Sequence, residues 1–198
     1  LTARAIQEQV HYMERVFGFL LDSGHLHSGA IVPFDELRAP IFENELCVTL
    51  DKPLHGSEVT VEQANAAIGA VAPAIEIVER RGDFAADPAL SMADNVQQRY
   101  FVTGPPTTRR ASERDLSEVR VEVFINGEPV AQAPGTEVMG GPAASVAWLA
   151  NALHRFGRQL HAGERIMTGS FTRQFPLAQG DLIEAQFEPY GSVRAEFS

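Results

Sequence analysis

Apolar and polar positions alternate in short bursts along most of this chain, and Gly, Pro and Asp separate the bursts. That pattern predicts strands joined by turns, with a few helices between them. "TARAIQEQV" predicts a short helix with Thr2 as N-cap, and "FGFLLDSGHLHSGAIVP" a strand and turn punctuated by Gly24 and Gly29. "PIFENELCVTL", from Pro40 to Leu50, predicts a strand. In "SEVTVEQANAAIGAVAP", Thr60 stands three residues before Gln63 as in a capping box, so a helix is expected up to Pro73, followed by a strand over "AIEIVERR". Residues 82–94 read as a loop, "RYFVTG" as a strand ending at Gly104, and "PPTTRRASERD" as a surface connection. "VRVEVFINGEPVAQA" is a hairpin around Asn126-Gly127, the favoured two-residue turn. "GGPAASVAWLANALHRFG" is a helix with Pro142 in its first turn and Gly157 at its stop. The tail from Glu164 reads as several strands. The fold class expected is α+β: β-rich, with mixed sheets and a few flanking helices.

Composition narrows the function. With 198 residues, 44% of them hydrophobic, the chain can bury one sizeable core, so a single domain over residues 1–198 is expected. The first residue is Leu1 rather than Met, from which the native N-terminal segment is expected to be missing. A formal net charge of −10 argues against a nucleic acid or an anionic membrane as partner, because phosphate binding needs concentrated Lys and Arg. A small-molecule substrate fits better, either neutral or an anion held through a bound cation. Cys47 is the one cysteine, so no internal disulfide can form, in keeping with a cytoplasmic location. No apolar run approaches the roughly 18 residues of a membrane-spanning helix.

The chemistry concentrates in three carboxylates. Glu43 and Glu45 are two residues apart on one strand and therefore share a face, and Glu76 falls on the next strand, where it can come alongside. Three carboxylates in a partly buried site cannot all ionise without a counter-charge. An all-oxygen ligand set selects a hard divalent cation, Mg²⁺ or Mn²⁺. Read from the residues alone, three solvated surface glutamates remain the competing interpretation.

The strings "FENEL", "APAIEIVERR", "MADN", "NGEPV", "GGPAASVAWLANAL", "AGERIMTGSFTRQFPLAQGD" and "YGSVRAEFS" occur in this order across the whole chain. Together they resemble the 2-keto-4-pentenoate hydratase family, the hydratase/decarboxylase branch of the fumarylacetoacetate-hydrolase-like fold. The resemblance implies mixed sheets rolled around a central metal site, Glu43, Glu45 and Glu76 as ligands of Mg²⁺ or Mn²⁺, and a homo-oligomer. It implies a 2-hydroxy-2,4-dienoic (2-oxo) acid of aromatic-compound catabolism as substrate. In the hydratase reaction the dienol is protonated at C5 and water adds at C4. The alternative it leaves open is a decarboxylase of a 2-oxo-enedioic acid, and a further one is a silent family member acting as assembly partner.

Other positions follow from the same resemblance. Asp22 matches a Gly-x-Leu-x-Asp segment and is a candidate acid/base, or else a turn aspartate before Gly24. Asp94 and Asn95 match an Ala-Asp-Asn motif and would orient a metal-binding glutamate or cap the following element. Ser170 and Thr172 match a Gly-Ser-x-Thr strand that contacts the substrate carboxylate, or serve the sheet. Arg81 would pair with a carboxylate. The chain departs from the family at Ile41, where Arg or Lys is usual, at Val96-Gln97-Gln98, at Gly140-Gly141, and in lacking the Gly-x-Lys-x-Gly-Leu-Thr lysine. Of the remaining residues, Cys47 is expected to be a small packed side chain, His25 and His27 exposed loop residues, and Trp148 a core or subunit-packing residue.

Overall fold

A computed structural model describes residues 2–82, 86–108 and 115–198. In chain order its helices are α1 (Arg4–Gln9), α2 (Val61–Ala67), α3 (Pro88–Ala93) and α4 (Pro142–His154). Its strands are β1 (His25–His27), β2 (Ala30–Val32), β3 (Pro40–Leu50), β4 (Ile68–Glu79), β5 (Gln98–Thr103), β6 (Thr107–Thr108), β7 (Arg120–Ile125), β8 (Glu128–Pro134), β9 (Arg165–Met167), β10 (Phe175–Pro176), β11 (Leu182–Glu188) and β12 (Gly191–Phe197). They form two mixed sheets. One runs β1-β5-β4-β3-β10, with β6 on β4 and β9 on β3; the other runs β2-β12-β11-β7-β8. Each is antiparallel apart from one parallel pair, β1 with β5 and β2 with β12.

Period-two alternation builds the core between them. Phe42, Leu46, Val48, Ile75 and Ile77 of the first sheet meet Val121, Val123, Ile183, Phe187, Val193 and Phe197 of the second, all essentially inaccessible to solvent. Val146, Ala147, Ala150 and Leu153 of α4 join the same cluster. The odd-numbered residues of β3 consequently point away from this core, on the opposite face of the first sheet.

The hairpin and α4 form as their sequences predict. Asn126 and Gly127 take φ of 55° and 82°, the left-handed pair of a type I′ turn. Gly157 closes α4 with φ 66°. The Thr60–Gln63 capping box is present in both directions.

Four local expectations change. The N-cap of α1 is Ala3, not Thr2, whose hydroxyl donates to the Thr168 carbonyl instead. α2 stops at Ala67, well before Pro73. Asp51 N–H caps the Ala67 carbonyl, and the Asp51 carboxylate occupies the space a Cβ on Gly69 would need. From Ile68 the chain is extended, and Pro73 lies inside β4 opposite Leu46. It is tolerated because β5 pairs only from Ala74 and β6 only up to Val71, so no ladder bond is asked of the missing N–H. The expected 82–94 loop contains α3, capped by the Asp87 carboxylate accepting from Leu90 N–H; residues 83–85 of it lie outside the described residues. In the 105–115 connection, Thr107–Thr108 pairs with β4 and residues 109–114 lie outside the described residues.

Candidate metal centre and substrate cavity

β3 and β4 pair antiparallel with Glu43 directly opposite Glu76 and Glu45 opposite Ala74. Each of the three carboxylates offers an oxygen within 4.8 Å of the others. Glu43 and Glu45 are buried and Glu76 is nearly so. Two neutral donors touch the cluster. Gln174 Nε2 donates to Glu43 Oε1 at 2.6 Å, and Gly169 N–H donates to Glu45 Oε2 at 2.7 Å. Among the described residues, the arginine ion pairs go elsewhere.

The electrostatic result is a set of carboxyls held above their ordinary range. Burial raises Glu43, against the opposing Gln174 bond. Burial raises Glu45 well above the usual value, and the charges of Glu76 and Glu43 add to it. Burial, then the Glu43 charge, pushes Glu76 up to about 7. Clustered carboxylates with no cationic partner fit a hard divalent ion, which would be held by Glu43, Glu45 and Glu76.

The triad lies on the floor of a cavity of about 970 Å³. Its other walls come from α4, through Ser145, Trp148 and Leu149, and from the irregular segment Val16–Leu20. Trp148 is half-buried and meets Phe17 edge-on at 6.2 Å, so the side chain expected to be pure packing is part of the cavity wall. Ile41 and Val78, cross-strand partners next to the Glu43–Glu76 pair, add an apolar wall.

The remaining sequence-derived positions fall in three places. Asp22 opens a single-turn 3₁₀ helix at the cavity rim, fully exposed, with Oδ1 3.3 Å from Arg165 Nη2. Asn95 lines the cavity and is bonded twice to Phe19, accepting its N–H at 2.7 Å and donating to its carbonyl at 2.8 Å. It starts three consecutive left-handed residues, Asn95, Val96 and Gln97, with φ of 53°, 56° and 64°. Such strain costs on the order of 1–3 kcal/mol per residue and persists only where contacts hold it, here the Asn95–Phe19 bonds and Gln97 Nε2 donating to Gly82 O.

Asp94 and Arg81 lie away from the triad. Arg81 Nε donates to Asp94 Oδ2 at 2.7 Å and Nη1 to Glu79 Oε2 at 2.5 Å. The glutamate that Asp94 serves, through Arg81, is therefore the buried Glu79 on the opposite face of β4. Ser170 and Thr172 sit in an irregular stretch between β9 and β10 rather than on a strand. Ser170 Oγ lies 3.5 Å from the Asn44 carbonyl, and Thr172 Oγ1 accepts from Asn44 Nδ2 at 2.6 Å. Both hydroxyls thus bond to β3 at Asn44, between the two glutamates. Cys47 is buried against Ala72, Ala74 and Met167, and burial pushes its thiol up to about 12, which makes it inert packing.

Sequence reasoning missed Gln174, Gly169 and a cluster around His25. His25 is no exposed loop residue: it lies in β1, stacks on Phe101 with centroids 4.7 Å apart, and bonds Thr103 Oγ1 at 2.8 Å. His27 is exposed.

Comparison with known proteins agrees with this geometry. Residues 4–198 match the family model for the fumarylacetoacetate hydrolase C-terminal domain. The chain is 36% identical to 2-hydroxyhexa-2,4-dienoate hydratase of Comamonas testosteroni, over all of this chain and 76% of that protein. It is 35% identical to 4-oxalocrotonate decarboxylase of Pseudomonas sp. strain CF600, over all of this chain and 75% of that one. Among solved structures, 4-oxalocrotonate decarboxylase from Pseudomonas putida G7, complexed with magnesium and adipate, superimposes with a TM-score of 0.91 at 35% identity, covering all of this chain and 75% of that chain. The sheets, the carboxylate cluster and these matches together establish that the chain belongs to the fumarylacetoacetate hydrolase family, in its hydratase/decarboxylase branch.

Proposed function

We propose that this chain is a metal-dependent hydratase that adds water to a 2-hydroxy-2,4-dienoate, the dienol of a 2-oxo-4-enoate, and yields a 4-hydroxy-2-oxo acid in aromatic-compound catabolism. The observation that carries the reading is the convergence of Glu43, Glu45 and Glu76 within 4.8 Å on the floor of a large cavity, without a cationic partner among the described residues. The likeness to a dienoate hydratase supports it. Glu43, Glu45 and Glu76 would hold Mg²⁺ or Mn²⁺, which would supply Lewis-acid polarisation of the 2-oxo group.

The chain's own residues do the rest. Gln174 and Gly169 orient Glu43 and Glu45. Phe17, Ile41, Val78 and Trp148 shelter the hydrocarbon part of the substrate. We assign Asp22, at the cavity rim, the acid/base role in proton transfer to C5 and in delivery of the water that C4 receives. Asn95 holds the Phe19 segment as one wall. Ser170 and Thr172 fix β3 through Asn44, and Arg81 with Asp94 fixes β4 through Glu79. We assign the whole to one catalytic domain, working in the cytoplasm as a homo-oligomer.

A second reading, decarboxylation of a 2-oxo-enedioate, is favoured by the arginines in the cavity wall, Arg80, Arg158 and Arg165, which offer a second carboxylate a partner. The test supplies protein and Mg²⁺ with 2-hydroxy-2,4-pentadienoate and, separately, with 4-oxalocrotonate, following dienoate absorbance and CO₂ release. Hydration of the first without CO₂ from the second is expected. Obligate CO₂ release assigns the decarboxylase. Intact Mn²⁺ binding with no turnover of either assigns the silent family member.

A further inference from the structure

We propose that Arg165 is the anion-contacting residue of the cavity and sets which way round a 2-oxo acid lies, its carboxylate end towards Arg165 and its hydrocarbon end towards Ile41 and Val78. The inference rests on the 2-oxo acid reading above. β9 pairs with β3 so that Cys47 faces Met167 and Thr49 faces Arg165. Cross-strand partners share a face, so Arg165 projects from the same side of the sheet as Glu43, Glu45 and Cys47. That side is paved with small residues, Cys47, Ala72 and Ala74. Across the cavity the Arg165 guanidinium meets β5 and β1. Its guanidinium carbon ends 5.4 Å from the Phe101 ring centre, and Phe101 is the cross-strand partner of Glu76.

Arg165 is steered but not neutralised. Nη1 lies 3.0 Å from His25 Nδ1. The same Nη1 lies 3.3 Å from His25 Nε2, which bonds Thr103 Oγ1, and because a guanidinium only donates, the ring faces it as an acceptor. Burial, then the Arg165 charge, lowers the His25 pKa, which favours the neutral imidazole. Among the described residues, the one carboxylate paired with Arg165 is Asp22, fully exposed and 3.3 Å away, a weak and solvent-screened bond. Among the described residues its hydrogen bonds occupy Nη1 and Nη2 with one partner residue each, which leaves donors of the five-donor fork for an anion in the cavity.

The opposite flank of the triad has the contrary character. Ile41 and Val78 face each other there and offer no donor. The other cavity arginines are exposed: Arg158 over the Phe19 ring and Arg80 beyond the end of β4. The triad thus has a fixed cation on one side and hydrocarbon on the other.

The test titrates Mg²⁺-loaded protein with 2-oxobutanoate, and with the uncharged amide of pyruvate as control, by calorimetry. Arg165→Met is expected to weaken 2-oxobutanoate at least tenfold, to leave the amide within twofold, and to leave Mn²⁺ affinity by electron paramagnetic resonance within twofold. Arg165→Lys should recover part of the loss. His25→Ala should weaken 2-oxobutanoate about threefold and His25→Gln, which keeps an acceptor, less. Arg120→Met, on the exposed side of β7 away from the cavity, should change neither ligand. Unchanged 2-oxobutanoate binding in Arg165→Met with intact Mn²⁺ binding overturns the assignment, as does an equal loss of acid and amide, and the metal site then still stands. Wild-type protein that binds no Mn²⁺ overturns the metal-dependent reading and this assignment together.

Discussion

Glu43 and Glu76 stand directly opposite each other across β3 and β4, two carboxylates in a cross-strand position where opposite charges stabilise and like charges repel. Both are pushed up by burial, the Glu43 charge raises Glu76 further, and both charges raise Glu45. The pair is costly to the fold and useful to the site, so the two properties should separate on mutation. Glu76→Gln is expected to lower Mn²⁺ affinity at least about tenfold, since a ligand is lost. The same change should stabilise the metal-free protein at pH 8 by on the order of 1–3 kcal/mol, because a buried charge is removed. Metal titration and urea unfolding of one variant check both signs; a destabilised metal-free variant contradicts the account.

The pH dependence follows from the same cause. Glu76 titrates at about 7 in the folded chain against an ordinary 4.5, so the folded state binds more protons than the unfolded state. Its contribution to stability is fully present below about 4.5 and is lost as pH rises through about 7. The melting temperature of metal-free protein should fall between pH 5 and pH 8. The rise produced by saturating Mg²⁺ should grow over the same interval, as the carboxylates become available to it. A metal-induced rise that is constant with pH would count against the triad as ligands.

Gln174 tests the tuning of one ligand. Its amide donates to Glu43 and favours the ionised form. Gln174→Leu should raise the Glu43 pKa further and weaken Mn²⁺ binding about tenfold at pH 6.5, the scale of one charge-assisted hydrogen bond. The loss should shrink at pH 8.5. Equal losses at both values would mean that Gln174 acts only by packing.

Arg81 separates support from substrate binding. It ties buried Glu79 to Asp94, and Glu79 also accepts the Arg38 N–H at 2.8 Å. Arg81→Met leaves Glu79 buried without its main cation and should cost about 2 kcal/mol of stability, a figure moderated by the partial exposure of Arg81. The KM of any 2-oxo acid substrate should stay within about twofold, whereas a direct substrate contact would raise it by about tenfold or more. Urea unfolding alongside steady-state kinetics distinguishes the two.

The shared face of Glu43 and Glu45 was legible in the sequence because a strand has a strict period of two, whereas Glu76 joined them as a third ligand only through the family resemblance. The hairpin at Asn126-Gly127 and the helix from Pro142 were legible for a similar reason, since turn and cap chemistry is local. Pro73 misled because the rule that proline ends a helix takes no account of where neighbouring strands stop. Gln174 and Gly169 were not legible: they reach Glu43 and Glu45 from an irregular segment more than a hundred residues away in sequence. Arg165 lies on a strand of three residues, too short for a periodic signal, and its partner His25 resembled a loop residue.

The alternation along Glu43, Asn44 and Glu45 also guards against misassembly. Asn44 faces the interior, tied to Thr172, while its neighbours face the cavity. If β3 slipped by one residue against β4, every side chain would change sides. Two carboxylates would enter the aliphatic layer, and Phe42 and Leu46 would be turned out into the cavity. Such a conformer would bury both carboxyls in hydrocarbon without the Gln174 and Gly169 donors they have in the cavity. The arrangement that makes the strand a ligand set therefore also proofreads its pairing.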